Sequence, residues 1–168
     1  SLNNSFRSLN TVLDAVDRVF CQDDIPKRFE IQDGEIEWVA TFEYNEKGDV
    51  LSEIDKTHQN ITVDKNNNVG KASNLVCNCF NYYDVLVSFD FTIEIIDSNF
   101  TIRARNIYLS DGDLSYRNGK IYKEILSKNL LNKKKTEFKT AGKYERFLTK
   151  LDTYLLRILT IKDARLIP

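Results

Sequence analysis

Four residues of the chain could ligate a metal or carry a nucleophile: Cys21, Cys77, Cys79 and the sole histidine, His58. Structural zinc sites draw their ligands from paired cysteines and histidines at characteristic short spacings. A C-x-C with one distant cysteine and one distant histidine matches them poorly, so packed thiols are expected and no metal is assigned. A Cys–His nucleophile would need Cys77 or Cys79 to meet His58. The odd cysteine count argues against a closed disulfide framework. Cys77 and Cys79 lie two apart in a predicted strand, share a face and are poorly placed to bridge each other. A bridge from Cys21 to either one stays open.

The carboxylates are the second chemical resource. Glu35, Glu37 and Glu43 line one strand face with Thr41. A glycosidase-type pair needs two carboxyls in a cleft, one with a raised pKa. These three read as an open, solvated face, and a small hydrolase using them is the enzymatic alternative. The chain has no Gly-rich phosphate loop and no G-x-S-x-G, and no cofactor is expected. The run Lys133-Lys134-Lys135, with Phe138 and Tyr144 nearby, could touch phosphates. A pI near 5.9 argues against a nucleic-acid partner.

Those residues must be positioned by elements, and one stretch organises the rest. From Val85 to Ile95, alternate residues Val85, Val87, Phe89, Phe91, Ile93 and Ile95 are apolar, a period of two. Phe100, Ile102, Ala104 and Tyr108 continue one face of a second strand. Asp97-Ser98 is a two-residue turn between them. This register pairs Ile95 with Phe100, Ile93 with Ile102 and Phe91 with Ala104. It also sets Asp90 opposite Arg105 and Thr92 opposite Arg103. Near the open end, Val85, Leu86 and Val87 face Ile107, Tyr108 and Leu109, and both faces are apolar. A helix of this chain or another protein must cover the second face.

Before this hairpin the pattern predicts an amphipathic helix over 6–20, ended before Asp23-Asp24-Ile25-Pro26. Asp33-Gly34 is a hairpin turn that pairs Ile31 with Ile36 and Phe29 with Trp38. Asn45 to Gly48 is a further turn. Weaker strands follow over 50–54 and 61–63, then one over 72–80. After the hairpin, Ile121, Tyr122, Ile125, Leu126 and Leu130 suggest a helix of three turns. Residues 132–140 form a polar lysine-rich loop. Tyr144, Phe147, Leu148, Leu151, Tyr154, Leu155, Ile158 and Leu159 form the apolar stripe of a helix over about 143–161.

The expected fold is therefore α+β: a curved antiparallel meander sheet with N- and C-terminal helices packed on one face, as one domain over 1–168. At 168 residues the chain can bury its own core. Its 42% hydrophobic and 29% charged residues are ordinary globular values. No apolar run is long enough to span a membrane and no signal peptide is visible. The chain begins at Ser1 and has no methionine, which reads as a processed or tagged product. Net charge is −1 but uneven. Between Gln22 and Asp64 twelve acids face four bases, while the C-terminal third is lysine-rich. Such a dipole could orient the protein on a partner.

The segment Val87 to Leu109, VSFDFTIEIIDSNFTIRARNIYL, resembles the core hairpin of a domain-of-unknown-function family of exported Bacteroidetes proteins. The resemblance implies a TATA-binding-protein-like fold, a curved sheet with helices on one side. It also implies an exported, envelope-associated protein, periplasmic or otherwise, with the virion and cytoplasm as alternatives. It supplies no catalytic residues. The function expected is a non-enzymatic binding or structural subunit of a larger assembly, or alternatively a phage structural or accessory protein. The candidate partner interface is Leu86, Ile107, Leu109, Lys133, Lys134 and Lys135.

Overall fold

The structure is a computed structural model that describes residues 21–44, 49–79, 84–111, 116–117, 120–121 and 123–168. The expected helix over 6–20 and the turn at 45–48 lie outside those residues. The elements are β1 (Phe29–Gln32), β2 (Glu35–Tyr44), α1 (Val50–Asp55), β3 (Ile61–Asp64), β4 (Val69–Cys77), β5 (Val85–Ile96) and β6 (Asn99–Asp111). There follow β7 (Tyr116–Arg117), β8 (Lys120–Ile121), β9 (Glu124–Ile125), α2 (Leu126–Leu130), α3 (Gly142–Leu159) and β10 (Ala164–Ile167). The fold is α+β, with one curved antiparallel sheet of eight strands among the described residues. Its main path runs β10-β2-β6-β5-β4-β3, with β1 beside β2 and β9 beside β6.

The two predicted hairpins form in the predicted register. Asp33 and Gly34 both take positive φ, 51° and 76°, as a two-residue turn of this hand requires. Ile31 then meets Ile36, and Phe29 meets Trp38. In the long hairpin Asp97 has φ 54°, and Ile95–Phe100, Ile93–Ile102, Phe91–Ala104, Asp90–Arg105 and Thr92–Arg103 pair as expected. β2 lies against β6, setting Phe42 beside Phe100 with their rings stacked at 5.1 Å.

The second half of β6 departs from simple alternation. Asn106 takes φ 53° and inserts one extra residue opposite β5. Such a bulge reverses which face the following side chains occupy. Tyr108, expected on the apolar face, is 39% exposed on the other side, while Ile107 is only 1% exposed. Asparagine tolerates this backbone better than most residues. Its amide donates to Asp90 Oδ2 at 3.2 Å.

Three further expectations are corrected. Residues 50–55 are a helix, not a strand. Asp49 caps it by accepting from the Leu51 and Ser52 amides, and Val50, Leu51 and Ile54 bury at helical spacing. The three-turn helix expected around Ile121 to Leu130 is instead two short strands and the five residues of α2. β9 pairs with Tyr108 and Leu109, alongside the part of β6 that lies beyond its pairing with β2. The Cys77 and Cys79 sulfurs are bonded to each other. The chain leaves β4 after Cys77, so the Cα atoms approach to 5.4 Å and both side chains turn inward. β10 was not expected. It closes the far edge of β2, where Arg165 donates to Glu43 at 2.6 Å.

One buried polar network ties the sheet to its helix. Asp152 lies among Leu148, Leu151 and Leu155 on the inward stripe of α3 and is 5% exposed. Its carboxylate accepts from Trp38 Nε1 at 2.7 Å. It also accepts from Arg28 Nε at 2.8 Å and Nη2 at 2.7 Å, a two-pronged pair. These bonds hold the Arg28 guanidinium still further above its usual range. Asp152→Ala should cost about 3–5 kcal/mol, because it strands the guanidinium and the buried indole N–H together. A chemical-denaturation curve measures this. A loss below about 1 kcal/mol would show that the network contributes little.

Candidate functional site

The sheet face opposite α3 carries an organised set of charges among the described residues. Glu30 and Glu37 sit opposite each other on β1 and β2. Two carboxylates so placed repel unless a cation joins them. Arg103 of β6 does so, at 2.9 Å from Glu37 and 3.5 Å from Glu30. Arg105 approaches Glu37 at 3.8 Å. Glu37 is 7% exposed although it lies on the sheet face opposite α3. The bonds to Glu37 first, and then its charge and that of Glu30, raise the Arg103 pKa. Across β5 and β4, Asp90 meets Lys71 at 3.8 Å. Thr41 and Thr101 share a hydrogen bond of 2.9 Å between the rows.

The acidic row therefore differs from the one a hydrolase needs. Glu37 is held by two arginines, Glu43 by Arg165, and Glu35 accepts from the buried Ser127 hydroxyl at 2.7 Å. The carboxylates take separate partners and do not converge. His58 Nδ1 accepts from the Asn60 amide, Cys21 is free and exposed, and Cys77 is bonded to Cys79. Among the described residues no group of three or more His, Cys, Asp or Glu side chains could hold a metal ion.

The same face opens into a groove of about 490 Å³ over β3, β4 and β5. Thr62, Lys71, Asp90, Thr92 and Arg105 give it polar walls, and Gly70 and Phe91 also line it. A Cβ on Gly70 would lie 2.2 Å from the Phe91 ring, so this strand position has no room for a side chain. The groove's edge strand is closed to further pairing at two points. Val63 N donates to Asp55 Oδ1 at 2.8 Å and Ile61 N to His58 O at 3.1 Å.

The residues expected to form a partner interface do not stay together. Leu86 is half-buried on the sheet face opposite α3, paired with Val76 and Ser110. Ile107 and Leu109 fall on the inner side because of the Asn106 bulge. Ile107 is core, and Leu109 packs against it beside Leu126 and Leu130. Lys133, Lys134 and Lys135 are exposed on a tight turn in which Asn132 Oδ1 accepts from the Thr136 and Glu137 amides. The stem of Lys135 lies over Gly34. What alternation alone could not show is the exposed apolar strip: Val76, 55% exposed, Leu86 and Tyr108. Finding it required the bulges at Asn74 and Asn106, and the asparagines themselves were the available signal.

No protein-family model matches the chain, and no curated protein matches its sequence. Among solved structures it is similar to a TBP-like protein from Parabacteroides distasonis, with TM-score 0.51 and 13% identity over 75% of this chain and 88% of that one. A DUF4468 family protein from Bacteroides ovatus aligns with TM-score 0.43 and 15% identity, over 83% of this chain and 94% of that one. At such identities the first likeness is one of fold, and it agrees with the TATA-binding-protein-like architecture expected from the hairpin.

Gly70→Ala should destabilise the fold by about 1–3 kcal/mol through overpacking against Phe91. Phe91→Leu in the same chain should recover part of that loss. A double-mutant cycle from denaturation curves measures the coupling, and strict additivity would show that the ring and Gly70 are not in contact.

Proposed function

We propose that the protein is a non-enzymatic binding domain, a subunit that docks onto a larger assembly through the sheet face opposite α3. The observation that carries this reading is the apolar strip of Val76, Leu86 and Tyr108 beside an ordered array of charges. An interface commonly combines an apolar centre with a polar rim. The earlier interface is revised accordingly. Leu86 stays in it, Val76 and Tyr108 join it, and Ile107 and Leu109 leave it for the core. Lys133, Lys134 and Lys135 remain as exposed cations that can steer an acidic partner.

We place this assembly in the cell envelope. The Cys77–Cys79 disulfide supports that location, since disulfides persist in oxidising compartments. Among the described residues no helix is long and apolar enough to cross a membrane.

Leu86→Asp and Val76→Asp should leave the isolated domain folded, each shifting stability by no more than about 1 kcal/mol. Leu109→Asp should unfold it by placing a charge against the core. Thermal melts separate the three. A photo-crosslinker at position 76 should then capture one discrete partner from envelope fractions, and Leu86→Asp should abolish the adduct. Unfolding by Leu86→Asp, or an adduct indifferent to it, would sink the proposal.

A further inference from the structure

On the helix side, away from the strip, lies a second cavity of about 230 Å³. Leu109, Leu126, Leu130 and Phe147 give it apolar walls, and Lys143, Tyr144 and Asn129 complete its lining. Leu126 and Leu130 are buried, while Lys143 and Asn129 are exposed, so the polar groups mark the mouth. Two ammonium groups lie over the Tyr144 ring, one of them from Lys143 in the lining. Lys143 Nζ is 5.1 Å and Lys139 Nζ 5.4 Å from the centre of the Tyr144 ring. The ring's negative face attracts each cation. Among the described residues neither lysine is ion-paired. The nearby carboxylate, Glu124, is already engaged by Asn129 at 2.6 Å and Lys128 at 3.7 Å.

We infer that this cavity binds a small amphipathic monocarboxylate, its apolar tail between α2 and α3 and its carboxylate at the mouth against Lys143, with Lys139 over the same Tyr144 ring. The chemistry follows from the lining. Apolar walls take a short acyl chain or single ring, and an anion at the mouth meets cations that have no ion-pair partner among the described residues. The volume is below the roughly 300–1,000 Å³ of pockets for drug-sized ligands, which favours a compact tail.

The probe is octanoate, used below its micelle concentration, with 1-octanol as its uncharged counterpart. Titration calorimetry on the full chain should show saturable octanoate binding at one site. Lys139→Ala/Lys143→Ala should weaken octanoate at least tenfold and leave 1-octanol unchanged. Asn129→Trp, at an exposed position on the rim, should block both. Thermal melts verify that each variant is folded. No octanoate binding by the wild-type chain would overturn the inference. So would unchanged octanoate affinity in the lysine variant, or undiminished binding in Asn129→Trp.

Discussion

The carboxylate of Asp152 is the point at which helix, sheet and chain entry are fixed to one another. A charge placed among leucines on the buried stripe of a helix is costly unless it is fully paired. Here the partners come from two separate places: Trp38 at the centre of β2, 0% exposed, and Arg28 just before β1. Hydrophobic burial alone would let α3 slide or rotate over the sheet at small cost. Three directional hydrogen bonds do not, so they select one docking of helix on sheet. That docking also orients the side of α3 from which Tyr144 and Phe147 line the apolar cavity.

The sheet solves a second problem with asparagines. A strand of thirteen residues in strict alternation would put Tyr108 inside and Ile107 outside. Asn106 and Asn74, both in the left-handed region, each interrupt a ladder by a local shift. Ser88 supports the second, its hydroxyl accepting from the Asn74 amide at 2.9 Å. Apolar side chains thereby fill the core on one side, while an apolar strip emerges on the other. On the same face Arg103 of β6 joins Glu30 and Glu37, offsetting the repulsion of two facing carboxylates.

Much of this was legible in the residues. The period of two over Val85 to Ile95, the Asp-Gly and Asp-Ser turns and the cross-strand pairs Asp90–Arg105 and Thr92–Arg103 set the hairpins and their register. The stripe from Tyr144 to Leu159 set the long helix. Elements decided by tertiary context were not legible. Val50 to Ile54 is too short for its apolar residues at 50, 51 and 54 to decide between strand and helix, and the Asp49 cap is what marks the helix. The Cys77–Cys79 bond depends on where a strand stops. The Asn106 bulge moved Ile107 and Leu109 out of the proposed interface. The signals for the Asp152 network were present in the sequence. It is an acid four residues after Leu148 and three before Leu155, in a chain with one tryptophan whose N–H needs an acceptor.

That single tryptophan allows a direct test, because the chain has only one indole N–H signal. Hydrogen exchange of Trp38 Nε1–H, followed by NMR, measures how far the structure must open to release it. If the Asp152 network fixes α3 on the sheet, this proton should exchange only through global unfolding. Its opening free energy should then equal the stability from denaturation. Exchange at the rate of a locally fraying site, with the core amides still protected, would contradict the account.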